Sequence, residues 1–368
     1  MRPVSAALLS ALLALPLSGC TTGPASDDAA ANADGDIARE EAFRIDGVVV
    51  VERLRAGDTA QTSVSAKFMR HATASAGGSP EAAERLVGTR LMLPPAGECA
   101  SVALLEEADA EDAANNASFE GDVELVDVGD VALVTDLSFA GQSASLPRRG
   151  PGATTSAFGL RSWHPWFDAA SPPDPSRSIV RLAPRAFPDV GDLVSGVFYT
   201  SPDAAVLLPA PAHYAIESSG AVAVDKFVLH ADAPAEPADV RVAGVLLGDG
   251  TSSSPKPLAR RGADLLVTWG RDASLGPSLA ALPGDRVYID VQAEAGAVHR
   301  CTFDDTGEAL LPGAIVDGKT IAVAVHRLRE ASMPMPEGAM PDGDGSPDEA
   351  GRALVRFDLA VVGRVDVR

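Results

Sequence analysis

Apolar residues recur at every second position through most of the chain beyond residue 43, and this period of two predicts strands rather than amphipathic helices. The longest run closes the chain. Val355, Phe357, Leu359, Val361, Gly363, Val365 and Val367 share one face, and Arg356, Asp358, Ala360, Arg364 and Asp366 the other, with Val362 as the exception. Gly363 within it predicts a bend or bulge. Ile321, Val323 and Val325 fall on one face of another strand. Within 285–291, Val287, Ile289 and Val291 point one way and Arg286, Tyr288 and Asp290 the other. Further β runs cover 194–199, 205–208, 214–216, 227–229, 240–246, 265–269 and 298–303.

The first half of the chain is less regular. Val48–Val51 with Leu54, then Thr62, Val64, Ala66 and Phe68, flank Ala56-Gly57-Asp58 and predict a hairpin. Ser79-Pro80 offers an N-cap and a first-turn proline for a short helix closed by Gly88. A second, acidic helix is predicted over Leu104–Ala114, and strands flank Gly129-Asp130 at 123–128 and 131–134. The word Asp-Val-Gly-Asp recurs at 127–130 and 189–192, which reads as shared turn chemistry. Residues 145–188 are proline-rich and aperiodic, a long loop holding Phe158, Trp163, Trp166 and Phe167. Ala231–Pro237, stiff and without apolar periodicity, is the best domain boundary. The fold class is therefore mainly β, with two β-rich domains at 43–232 and 233–368, the second a β-sandwich of six or seven strands.

The first twenty residues follow different rules. Arg2 precedes the apolar run Val4–Leu17, which is too short to span a bilayer and has the layout of an export signal. Leu17-Ser18-Gly19-Cys20 resembles the bacterial lipobox. That resemblance implies cleavage before Cys20, acylation of its sulfur and amine, and membrane attachment through several chains, each buried CH₂ contributing about 0.8 kcal/mol. Thr21, where an inner-membrane retention signal would place Asp, implies sorting to the outer membrane, periplasmic or surface-exposed. Residues 21–42 have almost nothing apolar to bury and predict a disordered tether.

Charge narrows the partners. The formal net charge is −21, and loss of Arg2 makes it one unit more negative. Such a surface repels phosphate backbones, which excludes nucleic acid as a partner, and it disfavours anionic lipid headgroups beyond the acyl anchor. Beside Cys20 only Cys99 and Cys301 remain, either paired in an oxidising compartment or buried as free thiols.

Catalytic signatures are sparse. The six histidines never pair at metal-ligand spacing, there is no Gly-x-Ser-x-Gly, and phosphate-binding glycine loops are absent, so no catalytic residue, metal or cofactor is assigned. Ser253-Ser254-Pro255-Lys256 matches Ser-x-x-Lys but lies in a loop rather than opening a helix. Trp163-His164-Pro165-Trp166 is the candidate ligand site, its rings suited either to stacking on a sugar or to pinning the loop onto a sheet. Met333-Pro334-Met335 and Met340 form a methionine-rich segment, read as an exposed loop, and 342–349 resembles the opening of a calcium loop without its closing glutamate.

The strand at 265–269 followed by the Tyr288 strand resembles immunoglobulin-like and fibronectin type III sandwiches, modules that mostly bind or space. The expectation is a lipid-anchored envelope protein with a binding or structural role, its partner an envelope protein or polysaccharide. A glycan-binding or glycan-directed enzyme using Trp163 and Trp166 is the alternative.

Overall fold

The alternation on either side of Gly57 folds as the hairpin it predicts. In the computed structural model, strands β1 (Phe43–Ala56) and β2 (Thr59–Ala72) pair antiparallel from Phe43 opposite Ala72 to Ala56 opposite Thr59. Gly57 turns the chain at φ +58°, a conformation that costs a side-chain-bearing residue far more. The structure describes residues 43–72, 84–85, 87–115, 123–136, 177–186, 194–202, 208, 210, 212–222, 224–247, 256–271, 284–294, 296–335 and 351–368.

The closing run is β18 (Arg352–Val367), and it lies parallel to β1, with Gly47 opposite Ala353 and Ala56 opposite Val362. Parallel neighbours need a crossover; here nearly the whole chain supplies it. Beyond β18 come β17 (Thr320–Pro334), β14 (Arg286–Ala293), β15 (Val298–Asp304) and the short edge strand β3 (Cys99–Ser101). On the flank of β2 lie β4 (Val123–Leu125), β7 (Val194–Thr200) and β6 (Arg177–Ala186).

Two smaller sheets stack on this large one. Strand β6 pairs with β7 through Ala183–Ala186 but with β5 (Val131–Asp136) through 177–182, so a single strand turns the corner into a second sheet. That sheet is completed by β8 (Ala212–Ser218) and β9 (Phe227–Ala233). The third comprises β11 (Val245–Leu246), β10 (Ala238–Val242), β13 (Leu265–Gly270) and β16 (Glu308–Leu311). A two-residue strand, β12 (Leu258–Ala259), runs parallel to the end of β18, and helix α1 (Val102–Asn115) follows β3.

Both small sheets cover the same face of the large sheet. The odd-numbered residues Val355 and Phe357 of β18 line a first core with Val49, Leu133 and Ile216, whereas Val361 and Val365 line a second with Val267, Ile289 and Val325. The cores are not consecutive halves of the chain, since Met335, Ala353, Val355 and Phe357 line the first and Cys99 packs against the second, in which the third sheet faces the large one as a β-sandwich. The long strands do not divide: β17 and β18 run through both cores, and residues 41–368 form one compact unit. Ala231–Pro237, expected as a linker, completes β9 and then crosses the large sheet with Ala233, Pro234, Ala235 and Pro237 buried.

Several local expectations change. The β17–β18 ladder passes through Gly363 opposite Val323 without a register shift, so no bulge forms there. Met333, next to last in β17, packs on the first core, and Met335 is buried in it, which removes both from any exposed methionine loop; Met340 lies outside the described residues. The acidic helix is α1, slightly longer than predicted. Of the Pro80–Gly88 helix only the end is described, where the Gly88 amide bonds to the Arg85 carbonyl at 3.1 Å with φ +67°. The end of the expected 145–188 loop is not a loop: Arg177–Ala186 is strand β6, with Val180 and Leu182 buried in the first core, while the rest of that stretch, the Asp189–Asp192 word and most of the predicted 205–208 strand lie outside the described residues.

Candidate functional site

Where the two cores meet, the inner face of the large sheet changes from valine to arginine. Arg327 and Arg329 continue the buried parity of Ile321, Val323 and Val325 on β17 and are only 2% and 4% exposed. Arg53 and Arg55 do the same on β1, and Arg327, Leu359 and Arg53 stand in register across β17, β18 and β1. A buried guanidinium requires both charge and hydrogen-bond compensation. Arg329 forks onto Asp285 at 2.7 and 2.6 Å. Arg327 meets Asp305 at 2.9 Å, and the Trp269 indole N–H donates to the same carboxylate at 2.7 Å. Arg53 and Arg55 share Glu236 at 2.6 and 3.3 Å; their Nε atoms lie off the hydrogen-bond line, so charge holds that contact. Each of the four also donates to backbone carbonyls. Arg327 reaches Ala235, Glu236 and Gly270, Arg329 reaches Asp232, Arg53 reaches Leu208 and Arg55 reaches Pro237.

The opposite face carries a second polar row. Asp358 accepts from the Tyr288 hydroxyl and, at 2.8 Å, pairs with His326 Nδ1. The His326 ring stacks on Tyr288 with centroids 4.1 Å apart, and Arg300 lies over the same tyrosine at 4.7 Å while forking onto Asp290 at 2.9 and 2.8 Å. Burial alone would raise the Asp358 carboxyl, but His326, Tyr288 and Arg300 outweigh it and hold it below the usual range. Burial, then Asp358 itself, pushes the Tyr288 hydroxyl far upward. Glu52 stands opposite Asp358 on β1, reaches solvent, and has its carboxyl raised by partial burial and then by Asp358. Tyr288, His326, Asp358, Arg300 and Asp290 all engage one another. Chemically this is a fixed polar layer.

A strap of chain lies over that layer. Lys67 donates to the Val87 carbonyl, Arg356 to that of Thr89 at 2.6 Å and Arg300 to that of Met92 at 3.1 Å. The Gly97 amide then bonds to the Thr302 carbonyl at 2.7 Å, and β3 pairs with β15 through 99–101. Arg85 and Arg90 both reach Asp109 of α1, at 3.0 and 2.5 Å. At the end of the strap, Cys99 and Cys301 stand opposite each other and are joined in a disulfide, 202 residues apart in sequence.

The two cysteines are thus the predicted site residues that the structure brings together. Cys20, Trp163, His164 and Trp166 lie outside the described residues, as do 253–255 and 342–349. Among the described residues, no group of three or more His, Cys, Asp or Glu has the arrangement of a metal site. Sequence reasoning missed the arginine row, although its signal was present: Arg327 and Arg329 occupy the apolar parity of a valine-rich strand. The partners Asp285, Asp305 and Glu236 are supplied by turns and by the crossing segment, so periodicity could not reveal them. No family model matches the chain, and no curated protein aligns with it.

Proposed function

We propose that this chain is an exported lipoprotein, attached to an outer membrane through acyl chains on Cys20, whose double-cored β body binds or spaces rather than catalyses. The Cys99–Cys301 disulfide carries the reading, because such bonds persist in oxidising compartments and are reduced in a cytosol. It agrees with the lipobox Leu17-Ser18-Gly19-Cys20 ahead of a polar stretch. The interior supports a binding or spacing role. The buried charged groups at the seam are matched to carboxylates and carbonyls, and the Tyr288–His326–Asp358 row is saturated internally. The immunoglobulin-like resemblance of the second sandwich points the same way.

Labelled palmitate fed to cells expressing the full chain tests the anchor. Uptake by the wild type, none by Cys20→Ala, and recovery in the outer-membrane fraction is the expected pattern. Equal labelling of both, or recovery of unlabelled wild type in the soluble fraction, would overturn it.

A further inference from the structure

We propose that the outward face of the third sheet is a two-fold contact with a second copy of this chain, an inference that goes beyond the anchored binding role and draws on it only for the crowding of copies on one surface. The inward face of this sheet, with Val242, Leu265, Val267, Ala309 and Leu311, fills the second core. The outward face is apolar as well. Leu246, Leu266 and Leu310 are 49%, 44% and 57% exposed, and Leu266 stands directly opposite Leu310. Exposed apolar residues gathered on one face, rather than scattered singly, mark an interaction site.

Charge on this face is laid out in a matching order. One row across the strands reads Leu246, Arg241, Thr268 and Glu308, from β11 through β10 and β13 to β16. The next row holds Leu266 and Leu310, and beside Leu266 the exposed Ala243 bonds to its carbonyl at 2.9 Å. Arg241 and Glu308 stand two strand spacings apart, about 10 Å, too far to pair within one copy. Arg241 donates to the Gly244 carbonyl at 3.3 Å, and among the described residues neither side chain has an ion-pair partner.

That register makes the face complementary to itself. A half-turn about an axis along β13, in the plane of contact, brings Leu266 onto its own counterpart and Thr268 onto its own, with Leu310 beside the 243–244 turn. Arg241 then falls on Glu308 of the second copy and Glu308 on its Arg241, so two ion pairs flank the leucines. Overall charge does not forbid the approach. Asp239, Asp264, Asp304, Glu308 and Asp317 are the described exposed acids of the sheet and its flanking turns; Arg241, Arg260, Arg261 and Arg271 are the bases. Five acids against four bases leave this face near neutral on a chain of net charge −21. Asp264, which accepts from the Gly313 amide at 2.9 Å, lies on the axis beyond Leu266, and its negative charge opposes its counterpart. The contact is also small. Three strand spacings by five residues give about 14 by 17 Å, against the roughly 800 Å² per partner of a standard interface. Dilute copies therefore stay apart, and association needs the effective concentration, on the order of millimolar, that tethering supplies.

The test uses the full lipoprotein in phosphatidylcholine vesicles, with Thr268→Cys as the reporter on the axis and Val228→Cys, 47% exposed on the second sheet, as the control. Facing sheets stand about 10 Å apart, too far for a direct disulfide, so a short bismaleimide joins the thiols. A covalent dimer is expected through Thr268→Cys, with about fivefold less through Val228→Cys. Added to the reporter, Arg241→Glu or Glu308→Arg alone should lower the dimer about fivefold by setting like charges together. Both changes in one chain, or an equal mixture of the two single variants, should restore it, which misfolding would not do. Asp264→Asn should raise the yield. Equal yields from both reporters, no dimer at any surface density, a charge swap that fails to restore the yield, or no rise with Asp264→Asn would each overturn the proposal. A palmitate-labelled protein that gives no dimer fails this inference alone; an unlabelled protein that is crosslinked at millimolar concentration fails the anchor alone.

Discussion

Replacing Arg327 by methionine removes the group on which the two cores converge. The substitution keeps most of the apolar stem but leaves Asp305, 9% exposed, with the Trp269 N–H as its remaining side-chain donor among the described residues. It also withdraws a donor from the carbonyls of Ala235, Glu236 and Gly270. Breaking a buried ion pair from one side costs about 3–5 kcal/mol. For the compact unit 41–368, an unfolding entropy of about 2.1 cal/mol/K per residue converts this to a fall in melting temperature of about 4–7 °C. Calorimetry on Arg327→Met, Asp305→Asn and the double variant reads both the cost and the coupling. Each single change should destabilise, and the double should fall short of their sum by roughly 1 kcal/mol or more, because the second removes a charge the first had orphaned. A single-variant loss below about 0.5 kcal/mol, or strict additivity, would refute the view that this pair joins the cores.

Two further predictions concern the strap and the tyrosines. Cys99→Ala with Cys301→Ala should lower the melting temperature by about 7 °C, from the roughly 5 kcal/mol that chain entropy assigns to so long a loop, and should speed hydrogen exchange at 97–101 while Ile289 and Val325 stay protected; a change under about 1 °C would assign the strap's hold to its carbonyl contacts instead. All three tyrosines of the chain, Tyr199, Tyr214 and Tyr288, are buried with hydroxyls raised above their ordinary value, first by burial. A raised folded value leaves stability intact below the unfolded value near 10 and removes it as pH climbs past that point, by up to about 1.4 kcal/mol per tyrosine per pH unit. Tyrosinate absorbance should therefore appear only together with loss of the fold, and a titration near pH 10 in the folded protein would contradict it.

Much of the architecture was legible because burial on one side of a sheet writes itself as alternation. The faces of Val287-Ile289-Val291 and of the 355–367 run are those the pattern predicts, and the Gly57 hairpin follows from its turn. Two things could not be read. The parallel pairing of β1 with β18 joins residues three hundred apart, and local alternation holds no information about which distant strand becomes a neighbour. Ala231–Pro237 reads as a linker because it lacks periodicity and carries two prolines. Its burial depends on arginines that arrive from β1 and β17.

Those arginines answer a backbone problem. Where one small sheet ends and the next begins, the connecting chain must run between two cores, and its carbonyls have no neighbouring strand. Pro234 and Pro237 also lack N–H groups, which rules out a regular ladder there. Each orphaned buried carbonyl would cost about 1–3 kcal/mol. A guanidinium carries five donors in a rigid fork, more than any other side chain. The four of Arg53, Arg55, Arg327 and Arg329 reach three such carbonyls, at Ala235, Glu236 and Pro237, and three more at Leu208, Asp232 and Gly270 on either side of the seam. Asp285, Asp305 and Glu236 then balance most of the charge those arginines bring. Apolar residues at these positions would pack but leave the carbonyls dry and unpaired, so the usual advantage of an apolar substitute over a buried ion pair does not apply. The seam therefore couples the two cores through the same groups that bury the connection.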